Sequence, residues 1–66
     1  MKVGIVGVGF MGTTHVAGWA ETPAQVVGFV AETQLEAEAL AKQYGAKTYP
    51  NLSAMLPDVD VVDICS

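Results

Sequence analysis

Arginine is missing from this 66-residue chain, and its three lysines stand against seven acidic residues, so the formal net charge is −4. Nucleic acids and anionic membrane surfaces are bound through clustered positive charge, which this composition does not supply. Cysteine occurs once, at Cys65, and histidine once, at His15. A single thiol excludes an intrachain disulfide and a cysteine-built metal cage, and it fits a reducing compartment. His15 and Cys65 are 50 positions apart, which matches neither a metal-ligand nor a nucleophile–base spacing. No apolar run approaches the roughly 18–20 residues of a membrane-spanning helix. Met1-Lys2 passes straight into an apolar stretch without the charged, apolar and cleavage regions of a signal peptide. A soluble, cytoplasmic chain is expected. At this length one small domain fits, burying only about 60% of its unfolded surface, and a two-domain enzyme does not.

What the chain does have is apolar content, 52% of its residues, and seven glycines. Three of these glycines form the stretch around which the rest is organised, Gly7-Val8-Gly9-Phe10-Met11-Gly12, directly behind the apolar run Lys2-Val3-Gly4-Ile5-Val6. A buried strand, a G-x-G-x-x-G turn and a helix-compatible segment are the layout of the first turn of a dinucleotide-binding βαβ unit. Gly7 allows a sharp turn off the strand, Gly9 lets backbone N–H groups approach a pyrophosphate, and Gly12 lets the helix lie close on the sheet. The anion is then held by the N–H groups and positive dipole end of the helix, without a cationic side chain. Glu32 falls about 20 residues past Gly12, where such a site places an acid on the ribose hydroxyls of NAD and against the 2′-phosphate of NADP.

The remaining segments alternate between helix and strand signals. Met11 to Glu21 carries Gly12, Val16, Trp19 and Ala20 at i, i+4, i+7 and i+8, a stripe expected to face the sheet. His15 lies beside that stripe and reads as a packed or half-exposed helix residue, since no partner carboxylate or ligand spacing is evident for it. Trp19 reads as core. Thr22-Pro23-Ala24 ends this helix, and Gln25 to Ala31 is a continuously apolar second strand, as expected of a parallel strand covered on both faces. Thr33-Gln34-Leu35-Glu36 fits a capping box opening a helix to about Tyr44, with Gly45 beyond its end. Glu36, Glu38 and Lys42 match the helix macrodipole and read as a solvated face. Ala46 to Tyr49 is a short third strand stopped by Pro50, and Asn51 caps one or two turns through Leu56, ended by Pro57-Asp58.

Val59 to Cys65 is the fourth strand, in which Cys65 reads as a small core residue. Asp63 is unusual there, and the residues leave two placements open: the cofactor-side end of the strand, or a carboxylate satisfied by backbone donors. The order β-α-β-α-β-α-β predicts an α/β fold, the first half of a doubly wound Rossmann arrangement with a parallel sheet of about four strands in the order 3-2-1-4. Helices one and two are expected on one face and the short third helix on the other. A fourth strand at the edge, Val59 to Cys65, offers unpaired backbone groups and predicts self-association.

With motif, acid and last strand in place, the sequence resembles the N-terminal part of the glucose-fructose oxidoreductase / inositol dehydrogenase (Gfo/Idh/MocA) family over essentially its whole length. Lys2 to Gly7 with Gly9-Phe10-Met11-Gly12 and His15 is similar to that family's G-x-G-F-M-G-x-x-H opening. Leu40-Ala41-Lys42-Gln43-Tyr44-Gly45 resembles its second-helix ending, and Val59-Asp60-Val61-Val62-Asp63-Ile64-Cys65-Ser66 its V-D-V-V-D-I-C-T strand. The resemblance implies an NAD(P)-dependent oxidoreductase moving hydride to or from a sugar, inositol or related polyol. Gly7, Gly9, Phe10, Met11 and Gly12 match the pyrophosphate loop, and Glu32 stands in the place of the family's usual Asp, one methylene longer. NAD is expected as cofactor, ahead of NADP. The family's Glu-Lys-Pro segment with its catalytic lysine has no counterpart in residues 1–66, and Lys2, Lys42 and Lys47 lie in other contexts. The chain is therefore expected to be the N-terminal, dinucleotide-binding part of a longer domain, without turnover of its own.

Overall fold

The computed structural model describes residues 1–7 and 9–65, and for Phe10 and Met11 the backbone alone. The elements are β1 (Lys2–Val6), α1 (Phe10–Ala20), β2 (Gln25–Val30), α2 (Gln34–Tyr44), β3 (Lys47–Thr48), α3 (Leu52–Met55) with a 3₁₀ turn over Leu56–Asp58, and β4 (Val61–Ile64). The strands form one parallel sheet in the order β3-β2-β1-β4, the first half of a doubly wound Rossmann arrangement.

Alternation along β1 sorts the sheet into two faces. Val3 and Ile5 are fully buried with Val16 of α1, Val26 and Phe29 of β2, and Ala37 and Ala41 of α2. Gly4 points the other way, where an added Cβ would lie 2.5 Å from Met55 Cε. Gly28 of β2 faces the same Met55 and the Tyr49 ring. Met55, fully buried, fills the slot left by these two glycines, so α3 covers the face opposite α1 and α2. The pairing of β1 with β2 slips between Val3 and Gly4. Val27 is the extra residue, and the bulge keeps Gly28 under Met55 while Phe29 stays opposite Ile5.

Local signals set the element ends. Thr33 Oγ1 accepts from Glu36 N, and Gly45 closes α2 in the left-handed region at φ 67°; Asn51 Oδ1 accepts from Ala54 N at 2.9 Å to start α3. The α-helical part of the third helix stops at Met55, and the 3₁₀ turn that follows stops at Asp58, in keeping with the expected end at Pro57-Asp58. Two expectations are corrected. Ala20 is exposed, because at about 100° per residue it sits about 80° round the helix from Gly12. β4 spans Val61–Ile64 rather than Val59 to Cys65: these residues pair with Val3 to Val6 of β1, and single backbone hydrogen bonds from Asp60 N to Lys2 O and from Cys65 N to Val6 O flank that ladder. Among the described residues no helix is long and apolar enough to cross a membrane.

Candidate dinucleotide site

The sheet ends decide where a ligand can lie, because in parallel α/β sheets binding occurs beyond the carboxyl ends of the strands, where strand order reverses. Here the reversal lies between β2 and β4 around β1. Gly7 leaves β1 with φ 87°, and its N–H donates to Val30 O at 2.7 Å. Cys65 N donates to Val6 O at 2.8 Å. The turn therefore starts from a point fixed on both sides by its neighbours.

Gly9 is the N-cap of α1, with φ 92° and ψ −158°, a conformation open essentially to glycine alone. Among the described residues beyond its chain neighbours, nothing lies within 4 Å of where its Cβ would be. The backbone angle demands glycine here, and the space beside it is open to a ligand. α1 has no side-chain cap hydrogen bond at its start and no acidic residue in its first turn. Its positive dipole end is not neutralised by its own side chains. Gly12, one turn in, is buried as close helix–sheet packing requires. The Phe10 and Met11 side chains, matched to the same loop, lie outside the described residues.

Beside this turn is a cleft of about 420 Å³. Val6, Gly7, Val30 and Ala31 form its walls, with the exposed Glu32 and Glu36 at its rim and Cys65 just past the carboxyl end of β4. Gly7 and Glu32 are thus brought to one opening, while Gly9 and Gly12 stand at the adjoining helix. Glu36 is exposed, as expected of a solvated face, and also lines this opening. The composition fits the adenosine half of a dinucleotide: apolar walls, a glycine turn for the pyrophosphate and a carboxylate for ribose hydroxyls. A second cleft of about 470 Å³ lies at the opposite end of the strands, with Lys2, Lys47, Tyr49 and Asp58 among its lining. The glycine in its lining, Gly45 at φ 67°, closes α2 and leads onto β3 rather than turning off the carboxyl end of a strand.

Under the loop lies a polar cluster that sequence spacing concealed. Asp63 pairs in register with Ile5, which turns its carboxylate toward α1. Its Oδ2 lies 2.9 Å from His15 Nδ1, and Trp19 Nε1 donates to the same oxygen at 2.8 Å. His15 therefore has the partner carboxylate that the sequence did not reveal. Asp63 is satisfied by side chains from a helix rather than by backbone donors. Desolvation pushes the Asp63 carboxyl up, but the Trp19 N–H, His15 and Cys65 together hold it below the usual value of 3.8. Cys65 Sγ lies 3.7 Å from Asp63 Oδ1; burial and that negative charge push its thiol up, keeping it protonated and unreactive. Among the described residues, His15, Asp63 and Cys65 form the one group of potential metal ligands, their ligand atoms within 4.8 Å of one another. Mutual hydrogen bonds account for that grouping.

The profile of the oxidoreductase family with an NAD-binding Rossmann fold (Gfo/Idh/MocA) matches residues 1–66. A curated relative, UDP-N-acetylglucosamine 3-dehydrogenase of Acidithiobacillus ferrooxidans, is 31% identical over 64 residues, covering 97% of this chain and 20% of that protein. The solved structure of that dehydrogenase superposes with a TM-score of 0.87 at 30% identity, over 100% of this chain and 22% of the other. An NAD-binding protein from Listeria innocua superposes with a TM-score of 0.82 at 35% identity over 98% of this chain and 20% of the other. A probable dehydrogenase from Thermotoga maritima shares the fold, with a TM-score of 0.89 at 23% identity over 100% of this chain and 21% of the other. The chain spans about a fifth of the length of these proteins.

Proposed function

Because the chain belongs to the Gfo/Idh/MocA oxidoreductase family with its NAD-binding Rossmann fold, we propose that residues 1–66 are the N-terminal, adenosine-side part of the dinucleotide site of a dehydrogenase acting on a sugar, inositol or related polyol. The observation that carries this reading is the glycine turn with Gly7 at φ 87° and Gly9 at φ 92°, standing at the carboxyl ends of the strands beside the cleft rimmed by Glu32. In it, Gly7, Gly9, Phe10, Met11 and Gly12 bring backbone to the pyrophosphate, and Glu32 accepts from the adenosine ribose hydroxyls and favours NAD over NADP. The bound dinucleotide supplies the hydride chemistry, while these residues bind and orient it. The sugar substrate class draws support from the similarity to a UDP-sugar dehydrogenase.

No lysine reaches this cleft: Lys2 and Lys47 line the opposite one, and Lys42 is in the last turn of α2. No turnover is expected of these residues alone. Calorimetric titration of the chain with NAD and NADP tests the reading. Binding of NAD in preference to NADP is expected, and no binding of either at millimolar ligand overturns it.

A second property is favoured by a separate observation. β4 forms one edge of the sheet, and its Ile64 is 61% exposed. We propose that this edge pairs with a second copy of the chain. Sedimentation at high micromolar concentration is expected to give a dimer or larger species, and a monomer there overturns this second proposal.

A further inference from the structure

Glu36 has a role in the structure that its place in the capping box does not explain. In a reciprocal box the carboxylate at this position reaches back to the N-cap backbone. Here the hydrogen bond of the box runs from Glu36 N to Thr33 Oγ1 at 3.4 Å, and the Glu36 side chain lines the same cleft as Gly7 and Glu32. The rim thus carries two carboxylates, from the loop after β2 and from the first turn of α2. Among its described lining residues there is no cation to offset them. The chain has no arginine at all, and its lysines lie at the opposite cleft or at the far end of α2.

We propose that Glu36 is a second specificity-determining residue of the cleft, rejecting dinucleotides that carry a 2′-phosphate. The proposal rests on the dinucleotide reading above. The ribose hydroxyls and the 2′-phosphate occupy the same region of such a site, so a ligand placed against Glu32 has its 2′-substituent at the rim that Glu36 shares. A phosphate monoester carries close to two negative charges at neutral pH. Glu32 discriminates by hydrogen bonding to hydroxyls as well as by charge. Glu36, one helical turn further on, acts by charge alone. The two carboxylates are therefore separable: Glu32 sets NAD affinity and NADP rejection together, and Glu36 only the second.

The test is titration of the chain and its Glu36→Gln and Glu36→Lys variants with NAD and NADP, at low salt and at about 0.5 M salt. Gln keeps a residue accepted at this position of a capping box, and circular dichroism checks that α2 is retained. E36Q is expected to tighten NADP binding about threefold to tenfold at low salt, as for one charge removed several ångströms from a partly screened phosphate. NAD binding should change by less than about twofold, E36K should extend the NADP gain, and high salt should shrink both gains. NAD binding with an unchanged NADP-to-NAD ratio in both variants overturns the role of Glu36 and leaves the dinucleotide site standing. Absence of binding by either dinucleotide to the unmodified chain overturns both.

Discussion

The two ends of this small sheet hold openings of similar size, about 420 Å³ at the carboxyl ends of the strands and about 470 Å³ at the amino ends. They are built from opposite materials. The carboxyl end has two glycines at positive φ, the uncapped start of an 11-residue helix and two carboxylates. The amino end has Lys2 and Lys47, the Tyr49–Asp58 hydrogen bond of 2.7 Å, and Asp60 Oδ2 accepting from Lys2 N at 2.8 Å. Volume alone does not tell them apart. Strand direction and backbone geometry separate them, because a phosphate held without cationic side chains needs converging N–H groups. At the amino end Lys2 and Lys47 are matched by Asp58 and Asp60, so those side chains carry no net charge to draw an anion.

The contrast can be broken most forcefully at Gly9. Valine there is expected to cost roughly 1–3 kcal/mol in backbone strain and to weaken dinucleotide binding at least about tenfold. Urea unfolding and calorimetry read the two effects, and an unaltered affinity would remove the loop from the site. Next in size is Asp63→Asn, expected to destabilise by roughly 1–3 kcal/mol through the disrupted His15 and Trp19 contacts. Its counterpart at the exposed amino end, Tyr49→Phe, should stay within about 0.5 kcal/mol. Equal losses in the two would show that the polar contacts at the two ends contribute alike.

Asp63 also predicts an acid limb. Its folded pKa is held below the usual 3.8, so its contribution to stability is present above that value and is lost as pH falls through the lower folded value. In urea unfolding between pH 7 and pH 2, D63N should lack that part of the acid destabilisation. Glu32→Gln is a smaller change, expected to weaken NAD about fivefold through poorer ribose hydrogen bonds, worth about 1 kcal/mol, and to improve NADP. A preference of the unmodified chain for NADP would sink the ribose role. Smallest of all, Lys2→Ala with Lys47→Ala should leave dinucleotide affinity within about twofold. These charges sit a strand length away, roughly 15–20 Å, beyond the screening distance of about 8–10 Å in ordinary salt. A large loss there would move the ligand to the other end.

What was legible in the sequence is what the backbone imposes locally. Gly7 and Gly9 announce positive φ, Thr33 and Asn51 announce helix starts, Gly45 announces a left-handed stop, and the alternation of segments dictates the strand order. Each signal is complete within a few residues. The Asp63 cluster was not legible, because its partners on α1 are 44 and 48 positions away and meet it only through the β1–β4 register. Glu36 is exposed, as expected, but its place on the cleft was not legible for a related reason. Its capping role was visible in the local pattern, but which opening it lines depends on how α2 is turned about its axis over β2 and β3. The overlong fourth strand has the same origin: apolar residues can be counted from the sequence, whereas their ladder partners depend on the length of β1.

The Asp63 cluster also bears on the order in which the molecule can be assembled. α1, which carries the glycine turn at its head, holds two side chains whose shared acceptor is synthesised more than forty residues later. Until β4 docks on β1, His15 and Trp19 have no common anchor, and the helix can roll on the partial sheet. The first motif made is thus among the last to acquire its final orientation, and its completion waits on a loop closure spanning most of the chain. A nascent chain released before Asp63 would carry the complete glycine pattern with its helix still unclamped.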